Sequence, residues 1–209
     1  MNSFSQNKED KKVLRYFNAK KGTLLSVGEN DGSMFSNARL MIECGWSAYL
    51  LEPASVFSQL QELHKGNDRV KCFNFGLGEK EETVKFYESK NHVKGGTDLA
   101  LVSSINYDET VRWRNAGVEF EEKEIDIKTF NDFWEQEGRP VFNFITIDCE
   151  GNDWQVLKQI DLKEVGCECV CIEFNGDKDL EKKFTSHCGK YGLKEIHRNA
   201  ENILFAIPQ

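Results

Sequence analysis

Apolar β-type runs that alternate with helical stretches, a glycine turn directly after the first run, and two closing strands joined by a very short loop predict an α/β domain. The expected architecture is doubly wound, with a mostly parallel seven-stranded sheet, a C-terminal antiparallel hairpin and an inserted region of extra strand and loop. The chain has 209 residues, 39% of them hydrophobic, which suits one domain with one sizeable core. Residues 1–22 read as a helical lead-in and residues 23–209 as the domain, with the insert at about 79–127.

The elements follow in order. Val13 to Asn18 reads as a short helix. Thr23 to Val27 is an apolar strand run ending at glycine, and Ser36 to Cys44 a helix with Ala38, Leu40, Met41 and Ile42 as contacts. Ser47 to Leu51 is the second strand; Val56 to His64 is a helix whose apolar stripe is Val56, Phe57, Leu60 and Leu63. Val70 to Phe75 is the third strand. The alternation then breaks. Thr83 to Tyr87 reads as an extra strand, and Glu88 to Gly117 shows no clear period. Phe120 to Ile127 reads as strand, Phe130 to Glu135 as helix, Phe142 to Ile147 as buried strand and Trp154 to Ile160 as helix. Cys169 to Phe174 is a further buried strand, and Leu180 to Tyr191 a helix. Leu193 to His197 and Ile203 to Ile207 close the chain, and the loop between them is too short for a parallel crossover, so they pair antiparallel.

A formal net charge of −8 argues against a nucleic-acid backbone as the main partner, because phosphate binding needs a basic footprint. No apolar run has the roughly 18–20 residues of a membrane span. The polar stretch Met1 to Lys12 lacks the apolar core of a signal peptide, so a cytoplasmic location is expected. Oligomeric state has no signature here. Seven cysteines form no disulfide framework. Cys167, Cys169 and Cys171 alternate, which places them on one strand face as core residues rather than as a metal or redox site.

Ser26-Val27-Gly28-Glu29-Asn30-Asp31-Gly32 follows the first strand and precedes a helix. Gly28 lets the chain turn off the strand, Gly32 makes room for a ligand or helix, and Asn30 and Asp31 offer polar atoms. Glu52, with Pro53, ends the next strand about 20 residues later, the spacing at which an acid accepts hydrogen bonds from a ribose diol. Asn74 and Gly76 end the third strand at the same edge, where a small residue leaves space for an adenine ring. NAD is the competing ligand, but its fingerprint wants glycine where Asn30 and Ser33 stand. S-adenosylmethionine has no phosphate and tolerates the looser turn.

The chain resembles the FkbM-type family of S-adenosylmethionine-dependent methyltransferases. The resemblance rests on Val27 to Gly32, Phe35-Ser36-Asn37, Gly45-Trp46, Glu52-Pro53 with Phe57, Phe75-Gly76-Leu77-Gly78 and Ser103-Ser104. It continues through Ile147-Asp148-Cys149-Glu150-Gly151-Asn152-Asp153, Val156-Leu157 and Ile172-Glu173, so it spans about Leu24 to Glu173. It implies a Rossmann-like class I methyltransferase fold, and methyl transfer to a hydroxyl of a sugar, glycan or other small acceptor. It also implies a cofactor site of Gly28, Glu29, Asn30, Asp31, Gly32, Ser36, Glu52, Pro53, Asn74 and Gly76. One departure stands out. The family often has an acid at the position of Ser26 and a small residue at that of Glu29, so Glu29 or Asp31 is the candidate stand-in.

A hydroxyl acceptor needs a base or a metal, because its own pKa lies far above neutral. Asp148 is the expected base or orienting group, with Glu150 shaping the site. A divalent cation on Asp148, Glu173 and Asn175 is the less favoured alternative. His92, Ser104, Trp113 and Glu173 are the expected acceptor contacts, with Trp113 stacking on a sugar face. A cofactor-binding protein without catalysis and a nucleotide-dependent oxidoreductase are the competing readings.

Overall fold

The computed structural model describes residues 2–18, 20–91 and 100–209. Its main sheet is built from β1 (Thr23–Val27), β2 (Ser47–Leu51), β3 (Val70–Phe73), β7 (Phe144–Ile147), β8 (Cys169–Glu173), β9 (Lys194–Arg198) and β10 (Asn202–Ala206). The strand order is β3-β2-β1-β7-β8-β10-β9. β10 alone runs against its neighbours, pairing Ile203 with Ile172 and with Arg198. The first five strands are parallel, so Val27, Leu51, Phe73, Ile147 and Glu173 all end at one edge.

Helices cover both faces. α1 (Glu9–Tyr16), α2 (Arg39–Glu43) and α3 (Phe57–Leu63) bury Val13, Met41, Ile42 and Leu60 against Leu24, Ala48, Phe144 and Cys171. α5 (Phe130–Gln136), α6 (Asp153–Leu157) and α7 (Lys178–Lys190) bury Phe133, Leu157 and Phe184 against Leu25, Ile145 and Ile172. Strand residues thus alternate between the two layers, as period-two patterning requires.

The insert is a second, three-stranded sheet in the order β4-β6-β5, from β4 (Gly76–Leu77), β5 (Glu82–Ser89) and β6 (Phe120–Lys128). Phe86, Ile125 and Ile127 pack on Ala54 and Val56, just beyond the end of β2. Glu88 fastens this contact by accepting Ser55 N–H at 2.8 Å and binding Lys123 at 2.7 Å. The second sheet therefore stands over the carboxyl edge of the first.

Three expectations are corrected. Between Glu88 and Gly117 lies a helix, α4 (Tyr107–Asn115), where no period was legible. Cys167 precedes β8 and packs in the opposite layer from Cys169 and Cys171, so the three do not share a face. All three are buried free thiols. Several elements are shorter than expected or shifted. The third strand stops at Phe73, the helix expected from Ser36 begins at Arg39, that expected from Trp154 runs Asp153–Leu157, and the lead-in helix starts at Glu9. Among the described residues, no helix is long and apolar enough to cross a membrane.

Gly28 has φ +80°, and a Cβ there would lie 1.8 Å from the Asp148 carbonyl oxygen. Gly66 has φ +78° with open space around it. Gly28→Ala is expected to destabilise by roughly 2–4 kcal/mol and Gly66→Ala by roughly 1 kcal/mol, read from urea unfolding. Equal losses would contradict the close approach.

Candidate active site

The carboxyl edge opens into a cavity of about 480 Å³. Its wall includes the apolar residues Pro53, Phe75, Leu77, Ile125 and Ile127. It also includes the acids Asp148, Glu150, Glu173 and Glu201, and Arg112 and Trp113 of α4.

The loop after β1 is fixed from two sides. Gly28 and Glu29 donate their N–H groups to the Leu51 carbonyl at 2.9 and 3.1 Å. Glu52 turns back, accepting Asn30 N–H and Ala54 N–H at 2.7 Å each. Glu29 is 3% exposed. Its two oxygens accept the hydroxyls of Ser26 and Ser36, both at 2.5 Å. Burial, against those hydroxyls, pushes Glu29 up to about 7, and burial does the same to Glu52.

At the ends of β7 and β8 the carboxylate oxygens of Asp148, Glu150 and Glu173 lie within 4.8 Å of one another. Burial first, then the charges of Glu52 and Glu29, pushes Asp148 up to about 7. Burial and the neighbouring Asp148 hold Glu150 and Glu173 well above the ordinary carboxylate range. The turn that carries Glu150 is braced rather than loose. Glu150 has φ +44° and Gly151 φ +95°. Asp153 accepts Cys149 N–H and Gly151 N–H at 2.9 and 3.1 Å, and Ser104 Oγ donates to the Glu150 carbonyl at 2.6 Å.

The Methyltransferase FkbM domain matches residues 26–199. The chain belongs to the FkbM methyltransferase family. Among solved structures it is similar to the METTL16 MTase domain, at TM-score 0.52 and 9% identity, over 98% of this chain and 68% of that one. A second crystal form of that domain gives 0.51 and 9%, over 95% and 64%. Precorrin-6y C5,15-methyltransferase from Geobacter metallireducens GS-15 gives 0.48 and 8%, over 100% and 92%. At these identities the likeness is one of fold. No curated protein matches the sequence significantly. Family membership makes this a methyltransferase fold, with S-adenosylmethionine as the methyl donor that the family implies.

Within this FkbM domain the expected cofactor residues divide. Gly28, Glu29, Asn30, Ser36, Glu52, Pro53 and Gly76 line the cavity. Asp31, Gly32 and Asn74 do not. Asp31 accepts Ser33 N–H and Met34 N–H at 2.8 and 2.9 Å and shapes the loop. A Cβ on Gly32 would meet Leu60 and Leu63 of α3, so this glycine admits a helix, not a ligand. Asn74 donates to the carbonyls of Glu52 and Pro53. Gly76 lines the cavity, yet the space it frees is taken by Ile127 at 2.8 Å rather than left for a ring.

The expected acceptor residues divide too. Ser104, Trp113 and Glu173 line the cavity; His92 lies outside the described residues. Ser104 is used up in bracing Glu150 and in accepting Asn106 N–H at 2.9 Å, which makes it a positioning residue. Trp113 has the Arg112 guanidinium over its ring at 4.7 Å, and its indole N–H is enclosed without a partner among the described residues. Of the hard-cation alternative, Asp148 and Glu173 cluster with Glu150, and Asn175 lines the same cavity. Sequence reading missed Gln6, Asn37 and Thr146 as cavity wall. Gln6 belongs to an N-terminal segment held by the Ser5–Phe35 bridge and by buried Glu9, which accepts Asn199 Nδ2 at 2.6 Å.

A carboxyl whose folded pKa is raised is most stabilising below its unfolded pKa of about 4, and that stability is lost as pH rises through the folded value. With Asp148 at about 7, the ligand-free protein is expected to melt lower at pH 8 than at pH 5. Asp148→Asn should raise the melting temperature at pH 8 and change it little at pH 5. A variant that melts lower at both would contradict the assignment.

Proposed function

We propose that this chain transfers the methyl group of S-adenosylmethionine to a hydroxyl of a sugar, glycan or other small acceptor. The observation that carries the reading is the half-buried acid Asp148, in the same cavity wall as the glycine loop and Glu52. The donor supplies a methyl group already activated on a sulfonium, so the protein's tasks are alignment and proton removal.

The cavity chemistry fits that donor. Its apolar wall residues suit an adenine ring, and Glu52 keeps lone pairs for ribose hydroxyls beyond the two amides it accepts. Among the described residues of the wall, Glu29, Glu52, Asp148, Glu150, Glu173 and Glu201 stand with one base, Arg112. That balance favours a cationic ligand and repels a pyrophosphate, which supports a methyl donor over NAD.

Asp148 takes the acceptor proton. A carboxylate near pKa 7 is a stronger base than an ordinary one and is still ionised in a useful fraction at neutral pH. Glu150 and Glu173 hold the acceptor hydroxyls beside it, and Ser104 and Asp153 keep the Glu150 turn in place. Arg112 and Trp113 form the roof over the acceptor.

The test is transfer of labelled methyl from S-adenosylmethionine to a panel of sugars and glycans. Asp148→Asn is expected to lower turnover about 10²–10⁴-fold, the usual worth of a general base, while donor affinity changes less than about threefold. Unchanged turnover would remove Asp148 from the chemistry. Turnover is also expected to survive chelation. Loss on EDTA treatment that Mg²⁺ restores would instead make Asp148, Glu150 and Glu173 cation ligands.

A further inference from the structure

Two polar atoms in the cavity wall have unmet needs. The indole N–H of Trp113 and Oε2 of Glu150 are each enclosed without a hydrogen-bond partner among the described residues. Both residues line the cavity. An enclosed indole N–H ordinarily finds an acceptor, and an enclosed carboxylate oxygen a donor. Here one is a donor and the other an acceptor, yet they do not satisfy each other.

The elements that carry them are joined. Ser104 Oγ donates to the Glu150 carbonyl at 2.6 Å and accepts Asn106 N–H at 2.9 Å, and Asn106 caps α4. A Cβ on Gly151 would lie 2.7 Å from Glu109 Cγ, so α4 packs directly on the turn. Burial, then Asp148 and Asp153, push Glu150 upward, and the Arg112 charge opposes them. The same Arg112 narrows what the indole can do. Its guanidinium lies over the Trp113 ring at 4.7 Å and comes no closer than 3.8 Å to its ion-pair partner Glu109. One face of the indole is thus taken, which turns attention from stacking to the N–H on its edge.

The two needs match one chemical group. A secondary amide accepts at its carbonyl oxygen and donates at its N–H, each from its own atom, whereas a hydroxyl must do both from one oxygen. The amide is also neutral. A carboxylate or phosphate substituent would be repelled by the acids of this wall, and a free ammonium would leave the indole N–H unsatisfied. We propose that the acceptor carries an acylamino group beside the hydroxyl that is methylated, with the indole N–H of Trp113 donating to its carbonyl and Glu150 accepting its N–H. The acceptor class is then an N-acylated amino sugar, free or within a glycan. The inference rests on the methyltransferase reading above. Asp148 and Glu173 remain for the reacting hydroxyl, and Glu150 becomes a residue that selects the acceptor.

The experiment measures binding of four methyl glycosides to protein saturated with S-adenosylhomocysteine, by ligand-observed NMR. The sugars are N-acetylglucosamine, its N-methylated tertiary-amide analogue, glucosamine and glucose. The N-acetylglucosamine glycoside is expected to bind at least about fivefold more tightly than the other three, the order of one well-placed hydrogen bond. In Trp113→Phe, shown by thermal melting to be folded, the preference over glucose should fall below about twofold. Equal affinities in the wild type, or no sugar bound by protein that does bind S-adenosylhomocysteine, would overturn the acylamino site alone. So would a preference kept by Trp113→Phe, or a tertiary amide bound as tightly as the secondary one. If Trp113→Phe does not fold, the wild-type order of the four glycosides decides. Protein that does not bind S-adenosylhomocysteine overturns the methyltransferase reading itself, and the acylamino site with it.

Discussion

The carbonyl oxygen of Asp148 occupies the space in which a side chain at position 28 would begin, 1.8 Å from an ideal Cβ. Only glycine permits that approach, and only with the positive φ it adopts. The close approach comes from β1 lying directly beside β7 in parallel register, with Val27 opposite Ile147. It sets the loop that carries Glu29 and Asn30 against the turn that carries Asp148 and Glu150. The glycine loop and the acids at the end of β7 line one cavity because two strand ends meet there without a side chain between them.

The acids themselves are the second constraint. Glu29, Glu52, Asp148, Asp153 and Glu173 are all pushed upward by burial. A core that buries carboxyls with so few bases gains no folding stability from them above neutral pH. Such an edge suits a cationic ligand, and it suits proton transfer near pH 7. The second sheet and α4 add Phe86, Ile125, Ile127, Arg112 and Trp113 to the cavity wall.

Much of this was legible in the sequence. The boundaries of β1 and β2 follow from five-residue apolar runs bounded by glycine and Glu52-Pro53, and the closing hairpin follows from loop length alone. The glycine turn and Asp148 could be placed at one edge because parallel strands share a direction. What escaped was tertiary. Gly32 reads as making room for a ligand or a helix, and only the packed structure decides for the helix, through Leu60 and Leu63 of α3. Ser104 reads as a contact for the acceptor, but it holds a backbone carbonyl 46 residues away. α4 has little apolar period because only Thr110 is buried. Its usable signal was polar: Asn106 caps it, Asp108 and Glu109 open it, and Arg112 and Arg114 close it.

The most direct measurement is a titration of the purified protein with S-adenosylmethionine, alongside NAD. Micromolar heat of binding with the methyl donor and none with NAD is the expected result, since the acidic cavity welcomes a sulfonium and repels a pyrophosphate. Binding of NAD, or no binding of S-adenosylmethionine, would contradict the account at its centre.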